Sequence, residues 1–383
     1  MKDILGDYRD IKNKTDEKPE DIIGYSENTF KTIDELPFHA VDSLVISQLC
    51  YMNIDLAFPQ AKDSFAGSIK DLYKAELFGP LTEDVRDPDS NIRLLKAVTA
   101  SPRYRDIKLG YFEKYTDKER QEQFFAARFL LPGGEIYIAY RGTDNSIVGW
   151  KEDFNMLFTD SFPGGERAAG YLDRVAALTD NRLILGGHSK GGSLSVYRAS
   201  FCDEKAAKRV TKVYNHDGPG LSVALKQRPG YRDISGIVHT ILPQESMIGV
   251  IFNDCDYTAV KSDRVGVMQH DPFSWQIQKD KFVKAAEINK SSDRISEAAI
   301  QEMMRLPESE REMVINTVFS VIESVGEDNF THWPRAVVKD PGKVYNAVKN
   351  LPRGAASKVL DTAGQIIKAA ARSILPAQDG KIR

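Results

Sequence analysis

Two kinds of hydrophobic spacing divide this chain. In its middle, short apolar runs alternate with stretches of helical period. Residues 123–131 (QFFAARFLL) and 135–140 (EIYIAY) are strand-like, and Pro132-Gly133-Gly134 between them signals a hairpin. Helical spacing follows over 147–158 and 165–178. A short buried strand is predicted at 182–185, a helix rich in alanine and charge at 193–209, and strands at 210–215, 236–242 and 257–261. Strands alternating with helices predict an α/β fold with a mainly parallel central sheet.

The flanks read as helical. Residues 36–52 form a buried helix opening near Asp42-Ser43, and further helices are expected at 66–77 and 90–100. Beyond about residue 280 the spacing predicts helices at 281–305, 309–325, 336–350 and 355–374. The organisation is then a polar N-terminal lead-in over 1–35, an α/β domain over 36–285 and a helical C-terminal extension over 286–383.

Composition narrows the function classes. With 42% hydrophobic and 28% charged residues the chain is an ordinary globular one, not disordered or collagen-like. No apolar run reaches the length of about 18 residues that a membrane-spanning helix needs. The polar start has no apolar core of a Sec signal, so a cytoplasmic location is expected, with a membrane-peripheral location or export without such a signal as alternatives. A net charge of −3 does not suggest nucleic acid as a partner. Cys50, Cys202 and Cys255 stand far apart with no Cys/His cluster, so they read as buried hydrophobes and no metal site is expected. The charge is unevenly spread: residues 331–383 carry ten basic and three acidic side chains.

The sharpest chemical signal is Gly187-His188-Ser189-Lys190-Gly191, with a strand before it and a helix after it. A nucleophile held in such a strained strand-to-helix turn needs glycine at both flanks, because strand and helix come very close. The turn presents Ser189 at the carboxyl end of the sheet and aims the Lys190 backbone N–H where an oxyanion can be held. A second oxyanion donor is expected on another loop, and Arg141-Gly142-Thr143 follows the preceding strand. Thr143 can offer both its backbone N–H and its hydroxyl.

At this point the residues resemble a family. Tyr140-Arg141-Gly142-Thr143, then Trp150-x-x-Asp153, then Gly187-His188-Ser189-Lys190-Gly191-Gly192 are similar to the motifs of class 3 (fungal-type) lipases. A bacterial lipase-like branch is closer still, with Asn215-x-Asp217-Gly218-Pro219-Gly220 and Gln269-His270-Asp271-Pro272-Phe273-Ser274-Trp275. The resemblance covers about residues 36–285 and implies an α/β-hydrolase fold that cleaves carboxylic esters of lipid type.

The remaining triad members are sought in the order nucleophile, acid, base. Of six histidines, His39 precedes the serine, His188 adjoins it and points elsewhere, His239 lies within a strand as a core residue, and His332 opens the tail. His270, in a polar loop after a strand, is the expected base, and the resemblance points to it too. The acid stays open. Asp217 follows the strand beside the nucleophile strand, whereas the class 3 pattern has an Asp after the next strand, where this chain offers Glu245. Asp254, Asp256 and Asp263 stand behind these two.

These residues predict a serine hydrolase for a lipid or small ester, working through an acyl-enzyme without metal or organic cofactor. A binding module on the same fold and an antibacterial lipase-type effector are the alternatives. The segment 145–165 is a candidate lid. Within 355–372, Val359, Ala363, Ile366, Ile367 and Ala370 repeat at helical steps beside basic residues, which suggests contact with an anionic membrane surface or packing on the domain.

Overall fold

In the computed structural model, residues 18–59, 64–158, 162–253, 256–288, 306–328 and 332–350 are described. Their centre is an eight-stranded sheet in simple sequential order: β1 Phe65–Ser68, β2 Lys108–Asp117, β3 Glu122–Leu130, β4 Ile136–Tyr140, β5 Leu183–His188, β6 Val210–His216, β7 Val238–Pro243 and β8 Tyr257–Val260. Strands β1 to β4 pair antiparallel, and β4 to β8 pair parallel. The expected α/β fold with a mainly parallel sheet is what the chain adopts.

Side-chain alternation along the strands explains the layering. Phe125, Ala127, Phe129, Tyr137 and Ala139 face one core, and Phe124, Ala126, Ile136, Ile138 and Tyr140 face the other. Helices Ile22–Asn28, Ala40–Leu49 and Pro88–Ala100 cover the first face; helices Pro163–Ala177 and Lys190–Ser200 cover the second. Strands sandwiched in this way read as continuous apolar runs, which is why β3 to β6 are visible in the sequence.

The structure departs from the expected elements in several places. Residues 66–77 are not a helix: β1 pairs with β2, and short turns follow at Ile69–Leu72 and Ala75–Leu77. Asp71 accepts from the Ser68 N–H at 2.8 Å, closing a local turn that competes with a helix there. The helix expected from residue 36 starts at Ala40, capped by His39 and Asp42. The helix expected at 193–209 ends at Ser200, and a separate turn of helix, Glu204–Ala207, is capped by Asp203. At 281–288 a two-residue strand, Lys281–Phe282, pairs with Ile277–Gln278 in place of a helix. Pro341 splits 336–350 into Trp333–Lys339 and Pro341–Lys349, since its nitrogen has no hydrogen to give. The polar lead-in is shorter than 1–35, because Ile22, Ile23, Tyr25 and Ile33 are core residues. The helix foreseen at 355–374 lies outside the described residues.

After the sheet, helix Glu308–Glu323 packs on helix Ile147–Phe158, with Phe319 against Phe154 at 5.6 Å between ring centres. Trp333 donates its indole N–H to Ile322 O at 3.0 Å and Lys343 reaches Val325 O at 3.2 Å, so both following helices are tied to this one. Among the described residues no helix is long and apolar enough to cross a membrane.

Candidate active site

The turn between β5 and helix Lys190–Ser200 is as tight as its glycines suggest. Ser189 occupies it with φ 57° and ψ −132°, a strained conformation for a side chain. A Cβ on Gly187 would lie 2.3 Å from the Gly191 carbonyl carbon, and one on Gly191 would lie 2.0 Å from Tyr140 O. Only glycine fits at either position. The Ser189 N–H donates to His216 O at 2.9 Å, which binds the turn to β6, and Ser189 is half-buried. The Lys190 N–H belongs to the first helical residue, where no partner exists within the helix.

One strand over, Asp217 follows β6 with φ 51°, its N–H fixed on Ile241 O at 2.9 Å. It is fully buried. Its Oδ2 lies 2.6 Å from His270 Nδ1, while Oδ1 accepts from the Ser246 hydroxyl and from the Gly249 N–H at 3.2 Å. The carboxylate is thus held on both oxygens, and the imidazole is oriented through Nδ1, leaving Nε2 for proton transfer. The His270 side chain keeps 17% of its exposure.

His188 braces this loop from below. Its Nε2 lies 2.8 Å from His270 O and its Nδ1 lies 2.9 Å from the Tyr51 hydroxyl. The two imidazoles sit 4.5 Å apart. Burial, and then the neighbouring His270 and His216, push the His188 pKa well below the usual histidine range, so the ring is neutral. A neutral ring that donates through Nε2–H and accepts at Nδ1 from Tyr51 satisfies both contacts.

Thr143 is half-buried, and its hydroxyl lies 2.5 and 2.6 Å from the two oxygens of Asp153. The expectation that Thr143 offers both N–H and hydroxyl is therefore corrected: the hydroxyl proton goes to Asp153 whenever that carboxyl is ionised, and the backbone N–H is what remains. Burial raises the Asp153 pKa to about 6, against the opposing pull of Lys190 and the Thr143 bond. The Lys190 side chain is buried as well. Its Nζ lies 2.8 Å from Glu152 Oε2, 2.8 Å from Gln123 O and 2.9 Å from Gln123 Oε1.

The structure separates the two acid candidates. Glu245 bonds backbone instead, accepting from Gly266 N–H at 2.5 Å and donating its own N–H to Gln269 Oε1 at 2.9 Å. It shapes the loop that carries His270 but does not touch the ring. Asp256 and Asp263 are exposed, and Asp254 lies outside the described residues. His239 is not a core residue: it is exposed on β7 and stacks on Tyr214 at 5.3 Å. His216 is buried against Ser43, His39 caps a helix, and His332 is exposed.

Glu152, Gln123, Ser246 and Tyr51 escaped sequence reasoning. One signal was available for the first two. A lysine directly after the serine, in a turn built from glycine and apolar strand, must bury its charge and needs a counter-ion. Among the described residues no group of three or more His, Cys, Asp or Glu could hold a metal ion.

Comparison with known proteins adds a family. The Mbeg1-like family model matches residues 98–320, a span that contains Thr143, Ser189, Asp217 and His270. No curated protein matches the chain. Among solved structures, the native Rhizomucor miehei lipase propeptide complex is similar at 14% identity, covering 61% of this chain and 75% of that one with a TM-score of 0.32.

Proposed function

The chain belongs to the Mbeg1-like family, and from that premise we propose that it is a serine hydrolase of carboxylic esters, with lipid or acyl esters as its substrate class. The observation that carries this reading is the buried Asp217–His270 bond of 2.6 Å at the strand ends, beside a serine held at φ 57°. The motifs around Thr143, Asp153 and Ser189 support kinship with class 3 lipases.

Ser189 Oγ attacks the ester carbonyl while His270 Nε2 takes its proton. Asp217 holds the imidazole in the right tautomer and stabilises the imidazolium that forms. The N–H groups of Thr143 and Lys190 receive the oxyanion. The imidazolium returns its proton to the leaving alcohol, and water, activated by the same ring, cleaves the acyl-enzyme.

A fluorophosphonate probe and p-nitrophenyl esters test this directly. The wild type should be labelled and active. Ser189→Ala and His270→Ala should each fall by about 10⁴-fold with the fold intact. Folded wild-type protein that takes no label would favour a binding module.

A membrane surface is the second part of the proposal. Helices Trp333–Lys339 and Pro341–Lys349 expose Val338 at 82% and Tyr345 at 67%, flanked by exposed Arg335, Lys339 and Lys349. Large apolar side chains among cations suit the edge of an anionic bilayer.

A further inference from the structure

The side chain of Lys190 does something its backbone role in the proposed mechanism does not require. It turns away from solvent into a site lined by three acceptors: Glu152 Oε2 and Gln123 O at 2.8 Å and Gln123 Oε1 at 2.9 Å. The ammonium group's three hydrogens match three acceptors. Glu152 is equally committed. Its Oε2 also accepts from Gln123 N–H at 3.0 Å, and its Oε1 accepts from Gly164 N–H at 2.8 Å. A Cβ on Gly164 would lie 2.5 Å from that Oε1, so the carboxylate seats directly on helix backbone. Lys190, Glu152 and Gln123 are all essentially without solvent exposure.

Desolvating such a pair is expensive, and an apolar pair of similar volume would stabilise the fold as well or better. Stability alone therefore gives no reason for a charge here. Position does. The cluster ties four elements together: β3 through Gln123, helix Ile147–Phe158 through Glu152, helix Pro163–Ala177 through Gly164, and helix Lys190–Ser200 through Lys190. Asp153, next to Glu152 on the same helix, holds Thr143. One helix thus grips both residues whose backbone N–H groups the proposed mechanism assigns to the oxyanion.

We propose that Glu152, assisted by Gln123, is a positioning residue of this enzyme: through the Lys190 ammonium it fixes the Lys190 N–H at a set distance from that of Thr143. The inference rests on the serine hydrolase reading. Oxyanion stabilisation is steep in geometry, and a displacement of about 1 Å can cost about 100-fold. The clamp therefore acts on the transition state and leaves substrate binding alone.

The test is the double variant Lys190→Met with Glu152→Gln, which removes both charges and nearly keeps their volumes. Active sites are counted by fluorophosphonate labelling, and kcat, KM and inhibition by a trifluoromethyl ketone are measured on a short p-nitrophenyl ester. The ketone adds to the serine and places an oxyanion between the two donors. The expected result is a kcat per labelled site lower by about 10-fold or more, a ketone weakened by a similar factor, and KM within about two-fold of wild type. Wild-type kcat and ketone affinity in the folded variant would overturn the proposal. If the double variant does not fold, Gln123→Met withdraws one acceptor and no charge. It should shift kcat and ketone affinity together in the same direction by a smaller factor, and unchanged values would again overturn the proposal. Absence of labelling in the wild type would bring down the hydrolase reading and this one with it. Labelling of the wild type with unaffected variants would bring down this one alone.

Discussion

Asp217 and Glu245 are both carboxylates placed just after parallel strands, and only one reaches the imidazole. Asp217→Asn should therefore lower esterase kcat by orders of magnitude while the fold survives, since the amide keeps the Ser246 and Gly249 contacts but presents the wrong partner to Nδ1. Glu245→Gln should cost far less, because it can still accept from Gly266 N–H. Steady-state kinetics of the two variants check this, and a more severe Glu245 variant would reassign the acid. The sequence could not choose between them because both follow a strand end in a turn; what decides is that Asp217, at φ 51°, adjoins β6 and that β6 lies directly beside the serine strand. Asp153 carries a pH dependence of its own. Its pKa near 6 in the fold lies above the ordinary carboxyl value near 4, so between those limits the folded state binds the extra proton. Stability from this group is therefore present at acid pH and lost as pH rises through about 6. The prediction is that Asp153→Asn gains stability relative to wild type as pH is raised from 4.5 to 7.5. Urea midpoints at the two values measure it, and a constant difference would refute it.

Helix Ile147–Phe158 carries the carboxylates that hold Thr143 and the Lys190 side chain. The sequence shows it clearly, but not what holds it from outside. Phe319, buried to 1% exposure, packs on Phe154, Ile147 N–H donates to Asp328 O at 2.9 Å, and Lys151 approaches Glu323 at 3.7 Å. The domain division at 285 and 286 thus cuts through a packed contact. Such long-range packing leaves no trace in local periodicity, whereas the glycines of the serine turn and the apolar runs of β3 to β6 act locally and could be read in advance. The edge strand β1 could not, because its four residues are only half-buried and carry no alternation. Phe319→Ala should destabilise the protein by about 3 kcal/mol through lost burial and a residual cavity, measured by urea denaturation. A change below about 1 kcal/mol would mean that the C-terminal helix is not part of the cooperative unit.

For the molecule as a whole, the packed arm and the charge of the tail set where a truncation can be made. Residues 332–350 are anchored through Trp333 and Lys343, so a cut at 331 would remove contacts as well as charge. A cut after Asn350 removes only the last 33 residues, six of them basic and two acidic. That truncation should weaken binding to vesicles rich in anionic lipid, by about 1 kcal/mol for each cation near the surface, and should leave cleavage of a short soluble ester unchanged. Vesicle sedimentation at low and high salt measures it; equal binding by both forms would exclude residues 351–383 from the contact, and absence of binding by the full chain would end the membrane proposal.

The sequential order of the sheet has a consequence in time. Chains are made from the N-terminus, and each new strand here docks on the one made just before it. Thr143, Ser189 and Asp217 are therefore laid down in turn, and His270 comes last, in a loop tied down by the Trp275 indole N–H, which donates to Gln269 O at 2.8 Å. Until that stretch has cleared the ribosome, a growing chain can display the Ser189 turn but lacks the base proposed to draw its proton. On the hydrolase reading proposed above, activity would be switched on by the completion of synthesis rather than built up along it, and a chain released before residue 270 should be inert.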